Sequence, residues 1–375
     1  MQSMAAACVN EKIPQIKSIS VHLRGEATRI LRREIGNIRY DTNAITFQEL
    51  FLACFMLGLS SAWHDSRDLG LVYFEAAQWM VTELLDHPRT LSASEQQCAS
   101  FCKKGLIYWQ MLTVAMKSEN SVDSGLQRGY SLRMSQDPMI LPPFELTLPH
   151  PFTGLADVAQ ELIANAIALT KQPQTPENLK IAFDLEERLL SVDIPTRDDI
   201  QDTLDDQSPN WHFSLVAEAY KNTGLLHLYK SFRPLVECRL KGVGDEGQSA
   251  EDWLASFAVF ILNILSQIPP SSGTRCTQPL AIVISAAALK FPKRVYPSDP
   301  SSSNGDVDTL PLGADIMRSR TFVMDRLQCY ERSLPPKPIT TAIKLVNEVW
   351  RQIDEGRNVG WMDVMVQNSL QSIFG

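Results

Sequence analysis

Apolar residues recur every three to four positions along almost the whole chain, and that spacing limits the fold more than any motif does. Ile16, Ile19, Leu23, Ala27 and Ile30 keep it near the start, with Arg24, Arg29, Arg32 and Arg33 between them. Ile339, Ala342, Ile343, Val346, Val349, Trp350 and Ile353 repeat it near the end, after Pro335, Pro336 and Pro338. The pattern also predicts helices near 45–62, 67–86, 93–117, 153–171, 177–191, 211–232, 249–268, 279–290, 313–333 and 361–373. Ser92 or Ser94 before Glu95, and Ser249 before Glu251 and Asp252, read as helix caps. No alternating run flanked by Asn-Gly or Asp-Gly marks a hairpin. The expected fold class is all-α, a large irregular bundle of about a dozen helices.

At 375 residues the chain can form one large core or two ordinary ones. The segments 118–150 and 292–312 are polar and rich in Ser, Pro and Gly, and read as flexible or functional loops. Neither side of them shifts in composition and no fixed-period repeat is present, so 1–375 is read as one domain. Net charge is −8, which argues against a surface that attracts DNA or an anionic membrane as a whole. The seven cysteines are odd in number and mostly sit inside apolar helical patterns, which suggests buried thiols in a reducing compartment. The longest apolar stretch, taken as Trp253 to Ile268, is broken by Ser256, Asn263, Ser266 and Gln267. A bilayer span needs about 20 apolar residues, so the expectation is a soluble intracellular protein with no membrane segment.

Five features invite chemistry. DDIQD, at Asp198 to Asp202, could hold Mg²⁺ and a diphosphate through Asp198, Asp199 and Asp202, as in terpenoid enzymes. That chemistry needs a second facing metal cluster, which the sequence lacks. The string also follows Pro195 among Asp193, Asp205, Asp206 and Pro209, so a solvated loop is the better reading. GVGDEG, Gly242 to Gly247, spells a dinucleotide fingerprint but follows no strand, and Asp245 and Glu246 would repel a phosphate. Cys98 and Cys102 lie one helical turn apart, but no further Cys or His follows at zinc-ligand spacing, so core thiols are favoured. His227 has no nucleophile motif beside it and reads as packed. The basic residues Lys17, Arg24, Arg29, Arg32, Arg33 and Arg39 alternate with Glu26 and Glu34, the pattern of a solvated helix face. No catalytic, cofactor-binding or metal-ligating residue is assigned.

The order of apolar segments says more. ELFLACFMLGLSSAWHDSRDLGLVYFEAAQWM joins a leucine-rich helix, a tryptophan-bearing turn and a following helix. HPFTGLADVAQELIANAIAL carries Pro151 and Gly154 ahead of a long amphipathic helix. LEERLLSVDIP precedes the acidic loop, and HFSLVAEAYKNTGLLHLYKSF contains Ala217, Glu218, Ala219 and Tyr220, followed by Leu225, Leu226, Leu228 and Tyr229. TAIKLVNEVWRQIDEGRNVGWMDVM closes the series with Trp350 and Trp361. Together these resemble the fungal-specific transcription factors, in the large helical regulatory domain that follows a binuclear zinc-cluster DNA-binding module, from about residue 5 to 370. One departure is Gln278 in QPLAIVISAAAL, where a tryptophan often precedes the Pro-Leu pair. The other is that these residues contain no zinc-cluster cysteine pattern.

The resemblance implies a nuclear, non-enzymatic regulator of RNA polymerase II transcription without cofactor. It would act on a protein partner, such as a zinc-cluster factor or co-regulator, or respond to a small-molecule effector. Secondary-metabolite or nutrient-use genes are the implied context. No direct sequence-specific DNA binding is expected. The alternatives are an all-α terpenoid-type enzyme and a helical scaffold with no transcriptional role.

Overall fold

The computed structural model describes residues 1–9, 13–38, 43–85, 92–117, 148–243, 249–292 and 309–374. Its helices are α1 (Gln2–Val9), α2 (Lys17–Gly36), α3 (Ala44–Leu59), α4 (Ser61–His64), α5 (Leu71–Leu85), α6 (Ala93–Met116), α7 (Asp157–Thr170), α8 (Pro176–Leu190), α9 (Asn210–Ser231), α10 (Arg233–Val243), α11 (Ala250–Ser266), α12 (Pro279–Ala286), α13 (Thr309–Ser333), α14 (Pro336–Asp354) and α15 (Trp361–Gln367). Among the described residues there is no strand, only an isolated antiparallel bridge between His150 and Gly154. The protein is all-α.

Local chemistry explains where the helices begin. Ser92 forms a capping box with Glu95, and the Ser249 hydroxyl accepts from the amides of Glu251 and Asp252. Thr175 caps α8, with Pro176 in its first turn. Left-handed residues account for three displaced ends. Gly70 at φ +66° delays α5 to Leu71, Gly154 at φ +78° precedes the start of α7 at Asp157, and Ser369 at φ +53° follows the early end of α15 at Gln367. Two short helices, α1 and α10, lacked a long enough apolar repeat to be expected. In the other direction, α13 starts at Thr309, inside the segment expected to be loop. Residues 118–147 and 293–308 of the two expected loops, and 244–247 of GVGDEG, lie outside the described residues.

The helix α9 runs through the middle, packed on α7, α8, α10, α11 and α12. It buries Val216, Ala219, Tyr220, Leu226 and Leu228 around its circumference. The main core joins α3, α5, α6, α7, α11, α12, α13 and α14; a smaller one gathers Leu162, Leu185, Leu189, Leu225, Leu228, Leu235 and Val236. All eight residues of α12 are buried. The carbonyls at and just beyond its C-terminal end are met by turn amides and by side chains from other helices. Trp350 Nε1 donates to Ala286 O at 2.8 Å, Arg320 donates to Leu289 O at 2.7 Å, and the Lys230 ammonium donates to Ala287 O. Gln278, standing where an aromatic was expected, is also fully buried. Its amide oxygen accepts from Tyr330 Oη at 2.5 Å and from Arg326 at 3.4 Å, and its nitrogen donates to Thr274 Oγ1 at 3.1 Å. A polar plug therefore fills the place of an indole.

The run most like a membrane span is Ala44–His64, not Trp253 to Ile268; it alone among the described residues is long and apolar enough to cross a bilayer. Half of its most apolar window is buried, with Phe47, Phe51, Cys54 and Phe55 facing the core. It is built as a core helix against α2, α5 and α6. Gly58 lets Trp109 lie on this helix, since a Cβ there would sit 1.9 Å from the indole.

Candidate effector cleft

Two carboxylates of DDIQD, Asp199 and Asp202, serve the local backbone. Asp199 accepts from the Thr196 amide at 3.1 Å and from the Thr196 hydroxyl at 2.5 Å, and these bonds hold its pKa below the usual value. Asp202 accepts from Leu204 N at 3.0 Å, and Asp205 from Gln207 N at 3.0 Å. The loop is pinned by Asn210 Nδ2 on Ile200 O at 2.7 Å and Ser214 Oγ on Pro195 O at 2.8 Å. Asp198, Asp199 and Asp202 remain exposed. Among the described residues no three His, Cys, Asp or Glu side chains are grouped to hold a metal ion. The geometry is that of a turn-rich surface loop.

The other strings are dispersed. Buried between α7 and α9, His227 bonds Thr170 Oγ1 at 3.1 Å, and burial, with Lys230 and Lys171 nearby, lowers its pKa to about 3. On α2, Arg29 pairs with Glu26 at 2.8 Å, Arg33 with Glu34 at 2.8 Å, and Arg24 with Asp68 at 2.6 Å. The glutamates thus neutralise part of the basic face. Arg39 lies outside the described residues.

A different place brings chemistry together. A cleft of about 420 Å³ opens between the start of α3, the first half of α6 and the turn 148–151. Ala44, Ile45, Phe101 and Pro149 give it apolar walls, and Gln48, Gln97, Lys104, Cys98 and His150 add polar groups. The turn is set by sequence. The His150–Gly154 bridge closes a loop that needs the positive φ of Gly154, and Gln160 Nε2 ties Thr153 O at 3.1 Å.

His150 stacks on Phe101 with ring centroids 4.6 Å apart. Its Nδ1 accepts from the Phe152 amide at 3.3 Å and lies 3.0 Å from Thr153 Oγ1. An accepting Nδ1 places the proton on Nε2, which is buried and makes no hydrogen bond. Burial and then Lys104 lower this imidazole to about 4, so it is neutral at pH 7. Cys98 donates to Ala44 O at 3.4 Å. The neighbouring Cys102 thiol pulls the Cys98 pKa down against burial, while its own rises through the same interaction and burial. Cys98 and the neutral His150 ring thus share the cleft, the thiol bonded to Ala44 O and the imidazole to the Phe152 amide and the Thr153 hydroxyl.

Sequence reasoning paired Cys98 with Cys102 but missed the cleft, because Ala44, Phe101 and His150 meet only in three dimensions. The signal present was the PHPFTG turn, whose Pro and Gly were noted for the resemblance alone.

The described residues thus build an all-α body with a central buried helix and an open cleft beside Cys98. The chain matches the family described as fungal specific transcription factor domain over residues 2–375, and it belongs to that family. Neither a curated protein nor a solved structure gives a significant match.

Proposed function

We propose that the protein regulates RNA polymerase II transcription in a fungal nucleus through its helical regulatory domain, without catalysing a reaction. The carrying observation is the family match over residues 2–375. The use of Asp199 and Asp202 as cap and turn acceptors supports it against the diphosphate-enzyme reading. The domain acts on a protein partner, such as a zinc-cluster factor or co-regulator, and the cleft at α3, α6 and 148–151 takes a small effector. Secondary-metabolite or nutrient-use genes are the proposed targets.

These 375 residues carry a net charge of −8 and no zinc-cluster cysteine pattern. DNA affinity rests mainly on Lys and Arg against phosphates, with sequence read in a groove. The purified chain is expected to give no tight, sequence-specific gel shift on a target promoter unless a partner factor is added. Specific retardation by the chain alone refutes the partner route. Mg²⁺-dependent turnover of a prenyl diphosphate, lost in D198N/D199N/D202N, refutes the regulatory reading itself.

A further inference from the structure

We propose that Cys98, which lines the cleft, and Cys102, one helical turn further along α6 and fully buried, form a capture site for a trivalent, thiophilic centre such as As(III). The proposal deepens the effector reading and rests on the cleft being open to solvent.

The two residues are four apart on α6, and both side chains point inward, Cys98 3% and Cys102 0% exposed. Residues so spaced hold their Cβ atoms about 5–6 Å apart, whereas a disulfide needs a mean of about 3.8 Å. Direct S–S bonding would therefore require α6 to unwind. An atom placed between the sulfurs spans the longer gap with the helix intact. The two thiols interact with each other. Soft, thiophilic centres select sulfur ligands of this kind. Cys98 lines the cleft, so a small neutral hydroxide of arsenic can approach it beside Phe101 and His150. Zinc is a poor occupant: a structural site takes four ligands, and no three-residue group is present among the described residues.

Arsenous acid, As(OH)₃, exchanges two hydroxides for two sulfurs. Two S–H and two As–O bonds break, two As–S bonds form, and two waters leave carrying the thiol protons. Arsenic stays trivalent and keeps one hydroxide. Capture also removes the thiol proton that Cys98 shares with Ala44 O, the first residue of α3.

The test is native mass spectrometry of the full chain with arsenite, and separately with zinc. One arsenic per chain and no stoichiometric zinc is expected. The arsenic should be released by a competing dithiol, lost in C98A and C102A, and retained in C238A at the exposed cysteine. Circular dichroism checks that each variant folds. Because a variant can fail to fold, wild-type chain alkylated at Cys98 with iodoacetamide is the second arm, and it too should lose arsenic. If Cys98 alkylates readily but wild type takes no arsenic, the capture site is wrong and the effector cleft stands. If Cys98 neither alkylates nor takes arsenic, both fall. Arsenic retained in both variants, or a Cys98–Cys102 disulfide mapped after mild oxidation, overturns the geometry.

Discussion

The helices α2 and α12 show two ways of belonging to the same fold. All eight residues of α12 are buried, and carbonyls at and just beyond its C-terminal end accept from Trp350, Arg320 and Lys230 of other helices. Over its 20 residues α2 buries only Ser20 and Leu31. Polar contacts attach it instead: Arg24 to Ser61 and Asp68, Ser20 to His64, and Thr28 to Tyr73. Ile19, Val21 and Ile30 stay exposed, and an apolar groove of about 510 Å³ remains open between α1, α2 and α3. Apolar burial contributes about 25 cal/mol per Å², so α12 is held by the core and α2 by a seam. Regions held by few apolar contacts open locally at low free energy. The seam is where the molecule should loosen first.

The largest effect that would test this contrast is a cavity. Leu280→Ala in α12, at 1% exposure, should cost about 2–5 kcal/mol. Ile30→Ala in α2, at 45% exposure, should cost under about 1 kcal/mol. Denaturant unfolding of both variants checks this, and comparable losses would erase the distinction.

Acid should act on the central region next. His150 and His227 are buried and neutral in the fold, with pKa values of about 4 and about 3, whereas an unfolded histidine titrates near 6.5. Below pH 6.5 the unfolded chain binds protons that the fold refuses, so stability falls as pH drops from 6.5 through 4 toward 3. The shifts correspond to about 3 kcal/mol for His150 and about 5 kcal/mol for His227. His227→Asn should flatten part of the slope of unfolding midpoint against pH; an unchanged slope would show that His227 is protonated in the fold.

A smaller effect separates local from global stability. Arg24→Ala removes the bonds to Ser61 and Asp68, with a global cost of about 1 kcal/mol because the pair is partly exposed. Amide exchange should rise through α2 while α9 and α12 keep their protection. Equal rises everywhere would mean that α2 folds as one unit with the core.

The smallest effect belongs to the acidic loop. D198N/D199N/D202N should leave stability within about 0.5 kcal/mol, since Asn can still accept the backbone bonds of Asp199 and Asp202. Thermal unfolding beside wild type measures it.

These contrasts also show what was legible in the sequence. The repeat of Ile339, Ala342, Ile343, Val346, Val349, Trp350 and Ile353 identified α14; Ile343 is partly buried and the other six are buried. Ser92 and Ser249 identified two helix starts, because capping is local chemistry. Long-range geometry was not legible. Nothing in the string pairs His64 with Ser20 or Lys230 with Ala287, and Gln278 could be marked only as unusual until Tyr330 and Arg326 were seen around it. The cleft was hidden for the same reason: Cys98 and Cys102 share a helix face by spacing, but Ala44 and His150 reach it from 54 and 52 positions away.

The central claim is that this helical body regulates transcription. Chromatin immunoprecipitation of the epitope-tagged chain from fungal cells tests it most directly. The account predicts enrichment at a discrete set of RNA polymerase II promoters, reduced when the partner zinc-cluster factor is deleted. A uniform signal across the genome, with the chain present at normal abundance, would contradict it.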